Sequence, residues 1–224
     1  MPTKSDGNQR KRQIFLVDDH PIMREGFAQL LNHERDLRVC GHAATAAKAL
    51  ESLEILKPDL VIVDIALNGT SGIELIKSIQ ARRPTQLILA LSMHDESIHG
   101  ERALRAGARG YAMKSEPTEE IMSAIREVLR GEIYLSKRMR SLVVEKFLHA
   151  DSPPTGSGVA QLSDRELEVF QLIGNGRKTR QIAAQLHLSV KTIETYRAHI
   201  KEKLHLQDGT ELVRHAVRWM SSQP

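Results

Sequence analysis

Apolar residues fall into short unbroken runs in the first half of this chain and into helical stripes in the second. Ile14-Phe15-Leu16-Val17, Leu60-Val61-Ile62-Val63 and Leu87-Ile88-Leu89-Ala90-Leu91 are continuous runs rich in branched side chains. Such runs predict strands buried on both faces. Leu37 to Gly41 and Arg109 to Met113 complete a set of five. Between them, apolar positions recur at helical spacing: Ile22, Met23, Phe27, Leu30 and Leu31; Ala46, Ala49, Leu50, Leu53 and Leu56; Ile73, Leu75, Ile76 and Ile79; Ile121, Ile125, Val128 and Leu129. Helix signals agree. Pro21 and Pro117 suit first turns, Thr45 an N-cap, and Gly131 a stop. The alternation predicts an α/β domain over residues 13–131, a doubly wound five-stranded parallel sheet with helices on both faces.

The pattern changes after Gly131. A short helix is expected over 136–149, with Leu142, Val143, Phe147 and Leu148 on one side. Proline, glycine and serine crowd residues 151–158 and mark flexible chain, so 132–158 reads as a linker. Residues 159–223 are helical throughout. Ser163-Asp164-Arg165-Glu166 is a capping box, followed by a core face of Leu167, Val169, Phe170 and Ile173. Thr179 to Leu186 and Val190 to Leu204 flank the turn His187-Leu188-Ser189, and a short helix, tight turn and longer polar helix read as helix-turn-helix. A last helix, packing through Leu212, Val213, Val217 and Trp219, completes a smaller all-α four-helix domain.

Composition narrows the field. A chain of 224 residues has room for two domains. The net charge of +4 permits a nucleic-acid partner without demanding one. Residues 1–12 read as a basic, disordered tail. Cys40 reads as a small hydrophobe in a reducing compartment, and the ten histidines show no metal-ligand spacing. With no long apolar span, a soluble, cytoplasmic protein is expected, without a membrane partner.

Chemistry gathers at the strand ends. Asp18 and Asp19 follow the first strand, Asp64 closes the third, Ser92 the fourth, and Lys114 follows the fifth. In a parallel α/β sheet these ends share one edge, where ligands bind. Alone, each residue has an ordinary structural reading: helix cap, loop lysine. Together they suit a divalent cation and a phosphoryl group. Clustered carboxylates repel, and Mg2+ is a natural neutraliser. Asp64 could then attack phosphorus while Lys114 balances charge.

Val17-Asp18-Asp19-His20-Pro21, Val63-Asp64, Ser92 and Tyr111-x-x-Lys114 resemble a two-component receiver domain. Leu162-Ser163-x-Arg165-Glu166-x-Glu168-Val169 and Ser189-Val190-Lys191-Thr192-Ile193-Glu194-Thr195-Tyr196 resemble a LuxR-type helix-turn-helix. Nearly the whole chain outside tail and linker is thus similar to the NarL/FixJ response regulators. The resemblance implies a flavodoxin-like strand order of 2-1-3-4-5 and a sensor histidine kinase that phosphorylates Asp64. It implies Mg2+ held by Asp18, Asp19, Asp64 and the Ala66 carbonyl. Tyr111 would be a switch aromatic, although a half-buried strand tyrosine reads the same way. The protein would then be a phosphorylation-controlled transcription regulator, not an enzyme, binding double-stranded DNA as a homodimer when phosphorylated.

Two positions depart from the usual receiver. Leu67-Asn68 stands where Met-Pro is common, and Met93 follows Ser92 where a small residue is usual. Both bear on how fast phosphoryl is lost. Three other readings fit less well. A dehalogenase-type phosphatase needs an acid at position 66. A ligand-sensing LuxR regulator lacks the acidic cluster. A kinase-independent regulator would keep the receiver only for dimerisation.

In the helical domain, Ile193, Tyr196, Ile200 and Leu204 should face the core. That leaves Lys191, Glu194, Thr195, Ala198 and Lys201 outward, which also describes any solvated helix face. Ten Lys/Arg against seven Asp/Glu from Val159 onward give a modest basic charge. By resemblance, Glu194, Thr195 and Ala198 face the groove, while Lys191, Thr192, Arg197 and Lys201 hold phosphates. Lys178, Thr179 and Arg180 add contacts near the turn.

Overall fold

The computed structural model describes residues 10–67, 71–93, 96–148 and 158–221. The N-terminal tail up to residue 9, Asn68 and its two successors, and residues 149–157 of the expected linker lie outside them. The chain divides into two compact units between Glu145 and Lys146.

In the first unit the apolar runs become β1 (Arg12–Val17), β2 (Leu37–Ala43), β3 (Leu60–Asp64), β4 (Leu87–Ser92) and β5 (Gly110–Met113). They pair in parallel in the order β2-β1-β3-β4-β5. The helices are α1 (Pro21–His33), α2 (Ala46–Leu56), α3 (Gly72–Arg82), α4 (Glu96–Arg105) and α5 (Thr118–Leu129). Alternation along each strand divides the core. Phe15, Val17, Val61, Val63, Ile88, Ala90 and Tyr111 face a layer holding Ala49 and Leu53 of α2, Ile73, Ile76 and Ile79 of α3, and Ala103 of α4. Ile14, Leu16, Leu60, Ile62, Leu89, Leu91 and Ala112 face Leu31 of α1 and Ile121, Ile125 and Val128 of α5. Burial on both faces is why these strands read as runs.

The expected caps form. Thr45 accepts from Lys48 N, and Gly131 sits at φ +84° with its N–H on Val128 O. Three expectations need correction. Arg12, assigned to the tail, begins β1 opposite Leu37. Ile22 of α1 is 85% exposed and does not join the stripe. Val143, expected on the apolar side of the short helix, is exposed in α6 (Lys137–Leu148), where Met139 is buried and Leu142 half-buried; ahead of that helix Tyr134 is buried with its N–H on Arg109 O.

The second unit opens with a 3-10 turn, Gly158–Gln161, then α7 (Asp164–Gly174), α8 (Thr179–Gln185), α9 (Val190–Lys203) and α10 (Gly209–Ser221). The capping box forms as the sequence implies: Glu166 N donates to Ser163 Oγ and Ser163 N to Glu166 Oε2. Leu167, Phe170, Ile173, Ile182, Ile193 and Ile200 are buried. In α10 the buried residues are Leu212 and Ala216, with Trp219 tilted against Phe170 at 5.7 Å between ring centroids. Val213 and Val217, expected inside, are 41% and 44% exposed.

Candidate functional site

The strand ends converge as the sheet order requires. Lys114 Nζ lies 2.7 Å from Asp18 Oδ2 and 2.7 Å from Asp64 Oδ2, joining residues 96 and 50 positions away. The side chains of Lys114 and Asp64 are each only 3% exposed. Asp64 Oδ1 accepts from Ala66 N at 3.0 Å, so the loop after β3 turns back onto its own carboxylate. Ser92 is fully buried, and its carbonyl accepts Lys114 N at 2.7 Å, which fixes β5 beside β4. Tyr111 is fully buried, not half-buried, and belongs to the core layer of α2 and α3. Met93 is 64% exposed.

Electrostatics follow from burial. Removal from water pushes the Asp64 carboxyl above its usual range; the Lys114 ammonium and the Ala66 amide oppose that, and Asp18 adds to it. Burial pulls Lys114 toward neutrality, but Asp64 and Asp18 outweigh it and hold the ammonium above its ordinary value. Lys114 is therefore a fixed cation between two carboxylates.

Single ligand atoms of Asp18, Asp19, His20 and Asp64 all lie within 4.8 Å of one another. Formally, three carboxylates against one ammonium leave an excess of two negative charges, the complement of a divalent ion. The donors are mostly carboxylate oxygens, which suits Mg2+.

Several residues in the site carried no such signal in sequence. His20 stands within the receiver-like motif but counts among histidines without metal-ligand spacing, yet its Nδ1 lies 2.8 Å from Asp19 Oδ1. Arg24 donates to the Asp18 carbonyl at 2.7 Å, pinning the turn after β1. Gly72 abuts the Asp64 backbone, and Ser71 caps α3 by accepting Ile73 N.

In the second unit, Ser189 caps α9 by accepting Thr192 N at 3.0 Å. Lys191, Glu194, Thr195 and Ala198 are exposed, while Thr192, Arg197 and Lys201 are half-buried. Tyr196 and Leu204 are also half-buried, so Ile193 and Ile200 carry the inner face. Lys178 and Arg180 are exposed and Thr179 half-buried. Among the described residues, Glu194 makes no ion pair with Lys191 or Arg197. The Thr195 hydroxyl donates back to Lys191 O.

Residues 14–126 match the response regulator receiver domain, and residues 160–216 match the luxR family of bacterial regulatory proteins. The oxygen regulatory protein NreC of Staphylococcus haemolyticus is 36% identical over 210 residues, covering 92% of this chain and 97% of that one. A LuxR-family two-component response regulator from Aurantimonas superposes with a TM-score of 0.58 at 34% identity, over 62% of this chain and 99% of its own. RcsB of Salmonella enterica serovar Typhimurium, solved on promoter P1flhDC with the phosphomimetic BeF3-, superposes at 0.60 with 25% identity, over 92% and 98%. The chain belongs to the NarL-type two-component response regulators, whose receiver places a LuxR-type DNA-binding domain under phosphorylation control. Among the described residues, no helix is long and apolar enough to cross a membrane.

Proposed function

We propose that Asp64 takes a phosphoryl group from the phosphohistidine of a sensor kinase, and that the phosphorylated chain binds double-stranded DNA as a homodimer through α9. The observation that carries this reading is the Lys114 bridge between Asp18 and Asp64 at the carboxyl edge of the sheet. Asp64 closes β3 at the carboxyl edge of the sheet, its carboxylate made more basic by burial. One of its oxygens attacks phosphorus, the P–N bond breaks, and the departing imidazole takes up a proton. Mg2+, held by Asp18, Asp19, Asp64 and the Ala66 carbonyl, would neutralise charge on the phosphoryl oxygens. Lys114 is near enough to shift its charge from the carboxylate to the new phosphoryl group. The Ser92 hydroxyl then bonds a phosphoryl oxygen, and Tyr111 shifts with it.

For the output domain, the exposed Glu194, Thr195 and Ala198 face base edges. Lys191, Thr192, Arg197 and Lys201, with Lys178, Thr179 and Arg180, hold phosphates and the approach to them. RcsB, solved on promoter DNA in the presence of a phosphomimetic, supports DNA binding by the phosphorylated chain by analogy. Acetyl phosphate with Mg2+ tests the first half. Intact-mass spectra should gain one phosphoryl group per chain, and Asp64→Asn should gain none. Undiminished labelling of that variant overturns the assignment.

A further inference from the structure

We propose that His20 is an additional ligand, through Nδ1, for the cation at the acidic site, and that it tilts this site toward nitrogen-accepting ions such as Ni2+ relative to Mg2+. The inference rests on reading the carboxylate cluster as a cation site.

The backbone sets the ring in place. A residue before proline is driven out of the helical region, and His20, followed by Pro21, stands extended at φ −86° and ψ 109°. Its N–H donates to Asp18 Oδ1 at 2.8 Å, tying the main chain to the site. His20 occupies the N-cap of α1, where a side chain ordinarily accepts a backbone N–H. Its ring makes no such bond. It turns the other way, with Nδ1 2.8 Å from Asp19 Oδ1 and 3.4 Å from Asp18 Oδ1. That places the nitrogen inside the 4.8 Å group formed with the Asp64 carboxylate. The side chain is 64% exposed, so core packing does not dictate its direction.

With its hydrogen on Nε2, the ring offers the Nδ1 lone pair to a cation. In that tautomer Nδ1 can serve as a fifth protein ligand, beside the three carboxylates and the Ala66 carbonyl. Mg2+ prefers oxygen ligands and retains its waters, so it gains little from this nitrogen. Later first-row ions accept imidazole readily. His20 would thus leave Mg2+ binding nearly untouched and strengthen the hold on its competitors.

The full chain can be loaded with Mn2+ as a paramagnetic reporter and its pulsed EPR spectrum recorded before and after excess Mg2+. The expected result is a 14N modulation from a directly bound imidazole, lost in His20→Gln and lost from the wild type on adding Mg2+. In parallel titrations, His20→Gln should weaken Ni2+ several-fold and leave Mg2+ affinity unchanged. Circular dichroism of the variant confirms that it is folded. A Mg2+-displaceable Mn2+ signal without 14N modulation, or with modulation that survives in His20→Gln, overturns the role of His20 alone. Mn2+ that Mg2+ cannot displace overturns the cation-site reading itself, and the proposal with it. Equal losses of Ni2+ and Mg2+ affinity would mean that His20 merely orients Asp19.

Discussion

Gly72 lies so close to Asp64 that a Cβ at position 72 would fall 2.0 Å from the Asp64 carbonyl oxygen and 2.7 Å from Ile65 Cα. The obstacle is backbone, which cannot swing aside as a side chain could. Gly72→Ala should therefore destabilise the first unit by about 1–3 kcal/mol or more and slow acetyl phosphate labelling of Asp64. Gly26, in α1 with nothing within 4 Å of its would-be Cβ, is the control. There alanine should stabilise by roughly 0.5–1 kcal/mol, as in any helix interior. Urea melts of both variants, with labelling rates, check the pair.

Glu166 links the start of α7 to the end of α9. It accepts Lys203 Nζ at 2.6 Å and Ser163 N at 2.7 Å. Burial pushes its carboxyl up, but Lys203 and Ser163 together hold it below its ordinary value near 4.5. A carboxyl lowered in the folded state stabilises fully above the unfolded value and loses that contribution as pH falls through the folded one. The helical unit should thus weaken as pH drops below about 4.5. Glu166→Gln should cost about 1–2 kcal/mol at neutral pH, discounted because Lys203 is partly in water. Its stability should depend less on pH in the acid range. Denaturation curves at neutral pH and near pH 3.5 give both slopes.

Glu194 and Lys201 separate two kinds of DNA contact on one helix. With no ion partner among the described residues, Glu194 is available to accept from cytosine N4 in the major groove. Glu194→Ala should relax preference at one base pair by roughly 1–3 kcal/mol while non-specific affinity holds or rises. Lys201→Ala should weaken every sequence alike and lower the salt slope by about one ion. Binding-site selection at two salt concentrations distinguishes them, and an unchanged base preference in Glu194→Ala rules out direct readout.

A single α8–α9 pair reads only a short half-site. Phosphorylated chain should prefer two half-sites about one helical turn apart, near 10–10.5 bp. Gel shifts comparing the full site with an isolated half-site measure the gain; equal affinity argues against dimeric recognition.

The fold was legible where burial is two-sided. Strands β1, β3 and β4 are apolar runs because both faces are covered, and Asp64 stood out as the acid that ends one. The sheet order was expected only through the resemblance, and the Lys114–Asp18 bond depends on that order. Residues whose importance lies in closeness escaped notice. Gly72 reads as one more loop glycine, and Tyr134 sits in a segment with no period. In α10, Val213 and Val217 form the more hydrophobic i, i+4 pair, yet the small Ala216 lies inside because Phe170, His215 and Trp219 fill that interface. Hydrophobicity ranked the stripes wrongly where shape decided.

Tyr134 gives the sheet's last strand a neighbour. β5 is outermost in the order, and its Gly110 forms a single parallel bridge with Tyr134, whose Cβ would stand 3.0 Å from any Cβ at position 110. An uncovered margin of four short, largely buried residues would invite pairing with other chains. By lying along it, Tyr134 acts as a selvedge that keeps the weave from being extended by a stranger. A receiver cut at Gly131 would lose that border and, with it, much of its resistance to clumping.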